Sequence, residues 1–381
     1  MAIPNLLDML RRLIGTPSIS SVNPQWDQSN SAVIHLLAQW LEELGMGVEI
    51  LPIPGHPGKA NLIASAGSGP DGLVLSGHTD TVPYDEGRWT RDPFQLTEAD
   101  NRLYGLGAAD MKSFFALVIE ALRGLPLDRL RQPLTIVATA DEESTMSGAR
   151  ALVAAGRRLG RYAVIGEPTG LRPVRMHKGI SMDAIRLTGR SGHSSNPALG
   201  VNALEGMYRV MGEILSWRGE LEAAHRNPAF EVETPTVNLG HIQGGDSPNR
   251  ICARCELHID MRPLPGMDLG EMRSALEERL RKALSGTGLK LEMEPLFHGI
   301  PAMETPAAAE IVKAAEAITG FSAGAVAFGT EGPYLSRLGM ETIVLGPGHI
   351  EQAHQPDEYL ETGHIQPAIG LVQSLVKRFC Y

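Results

Sequence analysis

Only three cysteines occur in 381 residues. That is too few for a disulfide framework, so a reducing, cytoplasmic setting is expected. Positive charge is also short, with a formal net charge of −10. A phosphate backbone is bound through a basic footprint, so nucleic acid is excluded as a partner. No apolar run approaches the ~18 residues that cross a bilayer, which excludes a membrane partner. Residues 1–15 carry charges inside their apolar stretch. That breaks the core of a signal peptide and predicts a short amphipathic helix. Internal repeats and low-complexity segments are absent. So is a dinucleotide fingerprint: Gly105 and Gly107 begin one, but Asp110 stands where the third glycine belongs and no strand is expected to feed the turn. Cys252 and Cys255 form one CxxC with no second pair, which argues against a structural zinc site. On a strand the two would point to opposite faces.

What is present points to two domains. A chain of 381 residues exceeds what one core organises, and its 43 % apolar content is ordinary for a globular protein. Apolar spacing predicts a helix over 31–46 and another over 114–125. Short apolar runs predict strands at 72–77, 133–140 and 162–168. This alternation implies an α/β fold, a mostly parallel sheet with helices on both faces. The pattern then changes. Residues 176–190 alternate like a half-exposed strand, 201–217 are helical, 234–244 and 250–263 are strands, 268–284 are helical and 289–296 form a strand. That order, β-α-β-β-α-β, is ferredoxin-like and predicts an inserted α+β domain. A helix over 307–320 and a strand over 341–348 resume the first pattern. The expected division is residues 1–175 with 288–381 as a catalytic domain, and 176–287 as the insertion.

Acids and histidines recur at the ends of the apolar runs. They are His78 and Asp80 in SGHTDTVP, Asp110 in YGLGAADMK, Glu142 and Glu143 in TADEES, Glu167 in IGEPT, and His354 in EQAHQPDEY. In an open α/β sheet ligands collect beyond the carboxyl ends of the strands, so distant clusters can converge. Imidazole and carboxylate together suit zinc, cobalt or manganese. Each cluster alone has an ordinary reading. His78 and Asp80 share a face of an extended segment, as a ligand and its orienting acid would, or as unrelated loop residues would. Asp110 before a helix is as readily an N-cap as a bridging carboxylate. Asp141, Glu142 and Glu143 repel one another, and burying them needs a cation; a solvated helix start is the alternative. Glu142 and Glu143 divide between ligand and general base in an order the spacing leaves open. Glu167 before Pro168 suits a turn, His354 a surface loop, and His193 in GRSGHSS a turn among small residues. Jointly they balance charge. Two divalent metals bring +4, and Asp110, Glu143 and Glu167 return −3 with neutral imidazoles. The residual +1 favours ionised over neutral water, and a metal lowers the pKa of bound water to about 7.

The chain resembles the M20 metallopeptidases, the aminoacylase or carboxypeptidase G2-like family, over essentially its whole length. The likeness is carried by SGHTDTVPYDEGRWTRDPF, ADEESTMSGAR, IGEPT, HKG, GHSS, NRICARCELHIDMRPLPG and GPGHIEQAHQPDEYLET. The resemblance implies a dimetal aminopeptidase-like fold with an inserted lid and dimerisation domain, and two divalent ions, zinc or cobalt. It makes His78 and Glu167 ligands of one metal, Glu143 and His354 ligands of the other, and Asp110 the bridge. Asp80 would orient His78, and Glu142 would be the general base. The chain would act as a homodimer, His193 reaching the partner's active site to polarise the substrate carbonyl. Lys178, Asn249, Arg262 and the Gly329–Thr330 loop match positions near a substrate carboxylate. The implied reaction is metal-dependent deacylation of an N-acyl amino acid. N2-acetyl-L-ornithine is the expected substrate, and a succinyl-diaminopimelate or dipeptide hydrolase is the neighbouring possibility. The chain departs from the family pattern at two positions. Ser113 replaces the glycine that commonly follows D-M-K, where it is expected to cap the next helix. Gly329 stands where some relatives have cysteine.

Overall fold

A computed structural model describes residues 3–381. The chain forms two compact units. The first holds the chain through Arg175, then Thr305–Gly324 and Thr330–Tyr381; the second holds Met176–Glu304 and Ala325–Gly329. The insertion expected to end at 287 therefore runs further. The strand Lys290–Pro295 pairs antiparallel with Ser181–Thr188 and completes the second unit's own sheet.

In the first unit four strands run parallel, in the order Leu134–Thr139, Leu73–His78, Tyr162–Pro168, Glu341–Gly346. The first three of these are buried along their whole length. Parallel strands covered on both faces read as continuous apolar runs, and these segments do. Ala60–Ala66 and Gly47–Pro52 extend the sheet antiparallel at one side. Successive side chains alternate between faces. Leu73 and Leu75 join a core with the helices Lys112–Leu122 and Ile365–Cys380. Ser76 turns the other way, to Glu331 before the helix Gly332–Arg337. Helices thus cover both faces, as the alternation predicted. The N-terminal helix spans Leu6–Ile14 and buries Met9, Leu10, Leu13 and Ile14. Asn5 caps it, accepting from the Asp8 N–H at 2.9 Å. The first two residues of the predicted amphipathic stretch lie outside the described residues.

The second unit has the sheet order Thr236–Gly244, Arg254–Arg262, Ser181–Thr188, Lys290–Pro295, every pair antiparallel. The helices Ala203–Ala224 and Leu269–Ala283 share a core with it around Leu257, Ile259, Met207 and Leu276. This is the ferredoxin-like arrangement. The strand expected over 176–190 is broken. Val174–His177 and Ser181–Thr188 are separate, because Gly179 donates to the Pro263 carbonyl and Ile180 exchanges bonds with Ile300. Cys252 lies ahead of its strand, so strand alternation does not apply, and both thiols enter the same core. Among the described residues no helix is long and apolar enough to cross a membrane.

Candidate metal centre

The site forms in the first unit, where buried strands end. His78 is the last residue of its strand, directly opposite Thr139. Gly77 precedes it for a steric reason: a Cβ there would overlap the Met111 methyl. The missing side chain lets the loop that carries Asp110 approach the strand end. Asp110 is not itself at a strand end. It lies in a loop between the short strand Arg102–Tyr104 and the helix Lys112–Leu122. Nor does it cap that helix, whose N-cap is Met111 without a side-chain bond. Ser113 is no cap either. It lies inside the helix with its hydroxyl buried and unpartnered.

Asp110 stands between the two histidines. One carboxylate oxygen is 3.0 Å from His78 Nε2, the other 3.5 Å from His354 Nε2. His78 Nε2 is also 3.6 Å from Glu167, and His354 Nε2 is 3.0 Å from Glu143. Potential donor atoms of His78, Asp110 and Glu143 lie within 4.8 Å of one another, as do those of His78, Glu142 and Glu167. Two overlapping ligand sets thus share His78, and Asp110 faces both histidines.

His78 Nδ1 lies 3.0 Å from the Asp80 backbone carbonyl and 3.7 Å from its carboxylate. Both are acceptors, so Nδ1 carries a proton, and Nε2 faces acceptors as well, the Asp110 and Glu167 carboxylates. With Nδ1 held as the donor, Nε2 is the ring atom free to exchange its proton for a cation shared with those carboxylates. The Asp80 carboxylate accepts the backbone N–H of Glu142 at 3.3 Å and of Glu143 at 3.1 Å. It therefore fixes the turn carrying both glutamates as well as standing beside His78.

Burial, and then repulsion from the neighbouring acids, pushes Glu143 and Glu167 above the usual carboxylate range. Burial and the nearby acids raise Glu142 likewise, against the opposing pull of His78. Burial also acts against Asp110, but the hydrogen bonds from His354 and His78 outweigh it and hold its carboxyl well below that range. The bonds to Asp110 and Glu143 push His354 up to about 11. The cluster calls for positive charge, which divalent cations supply. Its donors, two imidazoles and three or four carboxylates, suit divalent transition-metal ions.

Of the three consecutive acids, Asp141 faces away. It adopts φ +56° and meets Lys59 Nζ at 2.6 Å, with Ser147 and Ser20 donating at 2.8 and 3.1 Å. A buried lysine therefore neutralises the acid that takes no part in the centre.

Two further acids escape a reading of sequence alone. Glu331, in GTEG, is fully buried beneath the His78 strand. Glu358, in PDEY, is also buried, and its Oε1 accepts the backbone N–H groups of Ala109 at 2.8 Å and Asp110 at 3.0 Å. Burial and the Asp110 charge push Glu358 up to about 8. The usable signal was adjacency to His354. Replacing Glu358 with leucine should free the Asp110 backbone. Loss of such a support typically costs ~10–100-fold in metal affinity or activity. A competition titration against a chromophoric chelator checks this, and unchanged affinity would remove Glu358 from the centre.

A second histidine cluster, His349, Glu361 and His364, also lies within ligand distance. His364 Nδ1, however, accepts the Gly348 N–H at 2.9 Å, which puts its proton on Nε2. A metal at Nε2 would require an imidazolate, so this cluster braces the start of the His354 loop.

The remaining expected residues have partners of their own. In the second unit Lys178 is buried and donates to the Thr234 carbonyl at 2.6 Å, and Arg262 grips Asp260 at 2.8 and 3.0 Å. Asn249 Oδ1 accepts the Ser247 hydroxyl, and its carbonyl accepts the Ser194 N–H, which places Asn249 beside His193. A Cβ on Gly329 would stand 2.9 Å from Ile180, so a cysteine there requires Ile180 to shift. Thr330, in the first unit, is buried and accepts the Gly332 N–H at 3.0 Å.

The sequence profile described as Peptidase family M20/M25/M40 matches residues 74–378. The chain belongs to the M20 family. Two relatives, the acetylornithine deacetylases of Edwardsiella ictaluri and Proteus mirabilis, are 52 % and 50 % identical. Each alignment covers 99 % of this chain and 98 % or 97 % of the relative. The M20 fold recurs in a dinuclear metal binding peptidase of Bacillus subtilis, with a TM-score of 0.70 at 17 % identity. That match covers 98 % of this chain and 97 % of the other.

Proposed function

We propose that this protein hydrolyses N2-acetyl-L-ornithine to ornithine and acetate in arginine biosynthesis, as a cytoplasmic homodimer using two zinc or cobalt ions. The observation that carries the reading is the full-length identity of about half to two acetylornithine deacetylases, together with the clustered ligand set. The ions, when bound, polarise the acyl carbonyl and lower the pKa of the attacking water. His78 and Glu167 would hold one ion and Glu143 and His354 the other, with Asp110 between. Glu142 takes the proton from the attacking water and later delivers it to the leaving α-amine. His193 donates a hydrogen bond to the oxygen that becomes negative, usually a large part of such catalysis.

The substrate carboxylate is assigned to Lys178, Asn249, Arg262 and the Gly329–Thr330 loop. A dimer is supported by an apolar face on the second unit. Leu204, Tyr208 and Leu215 lie exposed along one side of the helix Ala203–Ala224, and Ile242 is exposed on the edge strand Thr236–Gly244.

The test is a panel of N-acyl amino acids assayed with metal supplied. Acetylornithine is expected to show a higher kcat/KM than succinyl-diaminopimelate in direct competition. Chelation should abolish turnover, and zinc or cobalt should restore it. The opposite preference would move the protein to a neighbouring specificity. Full activity in protein shown to be metal-free by elemental analysis would end the mechanism.

A further inference from the structure

Glu331 is 1 % exposed and performs none of the steps above. One of its carboxylate oxygens accepts the Ser76 hydroxyl, the other the Thr139 hydroxyl at 2.7 Å. Ser76 and Thr139 lie on adjacent parallel strands, where Ser76 pairs with Val137 and Thr139 with His78. The two hydroxyls thus mark the last turn of pleat before both strands end. One strand ends on His78 itself. Beyond the other, Asp141 opens the turn to Glu142 and Glu143. Thr139 is tied further, its hydroxyl lying 3.2 Å from the Gly77 carbonyl and its own carbonyl accepting from Thr79 N–H and hydroxyl.

Among the described residues no arginine or lysine is a hydrogen-bond or ion-pair partner of Glu331, whose carboxyl meets Ser76 and Thr139. The charged groups acting on it are His78 and Asp80, and burial pushes its carboxyl up. A buried carboxyl without a cation is costly, and a hydrophobic residue would fill the same volume at lower cost. Its presence calls for a role that a hydrophobic residue would not perform, and among the described residues its carboxyl bonds to the two strand hydroxyls.

We infer that Glu331 is a positioning residue for the metal centre: its carboxyl clasps Ser76 and Thr139 and so fixes the strand ends that deliver His78 and the Glu142–Glu143 turn. The inference rests on the dimetal reading of that cluster. A clasp of this kind sets the spacing between ligands on different strands, which determines metal affinity more than it determines folding. Glutamine preserves it. The amide oxygen accepts one hydroxyl and the amide nitrogen donates to the other, since a hydroxyl both donates and accepts. Alanine removes it and leaves both hydroxyls without their partner.

The experiment measures zinc affinity by competition with a chromophoric chelator, and unfolding midpoints with and without zinc. It compares wild type, Glu331→Ala, Glu331→Gln, His78→Ala and Leu375→Ala. Leu375 is a buried core residue of the helix Ile365–Cys380, so its truncation lowers stability without touching the centre. Glu331→Ala should bind zinc ~10–100-fold more weakly, the range for supporting residues of metal sites. Glu331→Gln should return to within about threefold of wild type. Leu375→Ala should keep wild-type affinity at a lowered midpoint. Adding Ser76→Ala to Glu331→Ala should weaken binding little further, since both break one clasp. Glu331→Ala with wild-type affinity and a midpoint like that of Leu375→Ala would make Glu331 a core spacer and overturn the inference. Glu331→Gln as weak as Glu331→Ala would overturn it too, by showing that charge and not the clasp matters. Failure of the dimetal reading is separate: wild type and His78→Ala would then bind zinc alike.

Discussion

Glu142→Gln is expected to retain its metal ions and to lose turnover by ~10²–10⁴-fold, the usual cost of removing a general base. Glutamine keeps the shape of the side chain but has no basic oxygen to take a proton. The turn itself is held by the backbone, through the Glu142 and Glu143 N–H groups on Asp80, so the exchange leaves it in place. Glu143 is the neighbour that contacts His354, at 3.0 and 3.1 Å. Glu143→Gln should therefore lower metal content, and His354→Ala should do the same. Elemental analysis beside steady-state rates separates the roles. A Glu142→Gln protein with an empty site, and a Glu143→Gln protein with both filled, would exchange them.

The ease of reading these positions follows from where they sit. His78, Glu142, Glu143 and Glu167 lie in or just beyond strands that are buried throughout, and a continuous apolar run ending in a charge is visible in one dimension. Asp110 and His354 belong to loops, so their place follows from the motif resemblance rather than from periodicity. Glu331 and Glu358 look like a helix-start acid and a turn acid. Their burial comes from contacts 192 to 255 residues away along the chain, which no local pattern encodes. Asp141 shows the converse. It shares its sequence neighbourhood with the ligands, yet its left-handed backbone turns it toward Lys59. Alternation in 176–190 suggested one strand, but Gly179 and Ile180 bond elsewhere and interrupt it. The helix Ile365–Cys380 is not among the predicted elements, although its buried Ala368, Val372, Leu375 and Phe379 recur at helical spacing.

The other large effect concerns His193. His193→Ala is expected to be nearly inactive with both metals bound, because the residue belongs to the second unit while every proposed ligand belongs to the first. Its ring is prepared for donation. Nδ1 accepts the Ser195 backbone N–H at 3.2 Å and lies 2.7 Å from the Ser195 hydroxyl, which leaves the proton of the neutral ring on Nε2. That is the tautomer an oxyanion needs. In the proposed dimer the donor serves the partner's site, and this has a consequence that a single-chain mechanism lacks. Glu142→Gln and His193→Ala fail for independent reasons, so co-expressing them creates mixed dimers in which one site has both an intact Glu142 and an intact His193 from the other subunit. With random pairing half the dimers are mixed and each has one working site of two, so recovery should reach at most about a quarter of wild-type activity. That ceiling is for the unfractionated mixture; mixed dimers isolated through two different affinity tags should reach about half of wild-type activity, assayed beside each parent. No recovery in proven mixed dimers would mean that His193 acts within its own chain or not at all.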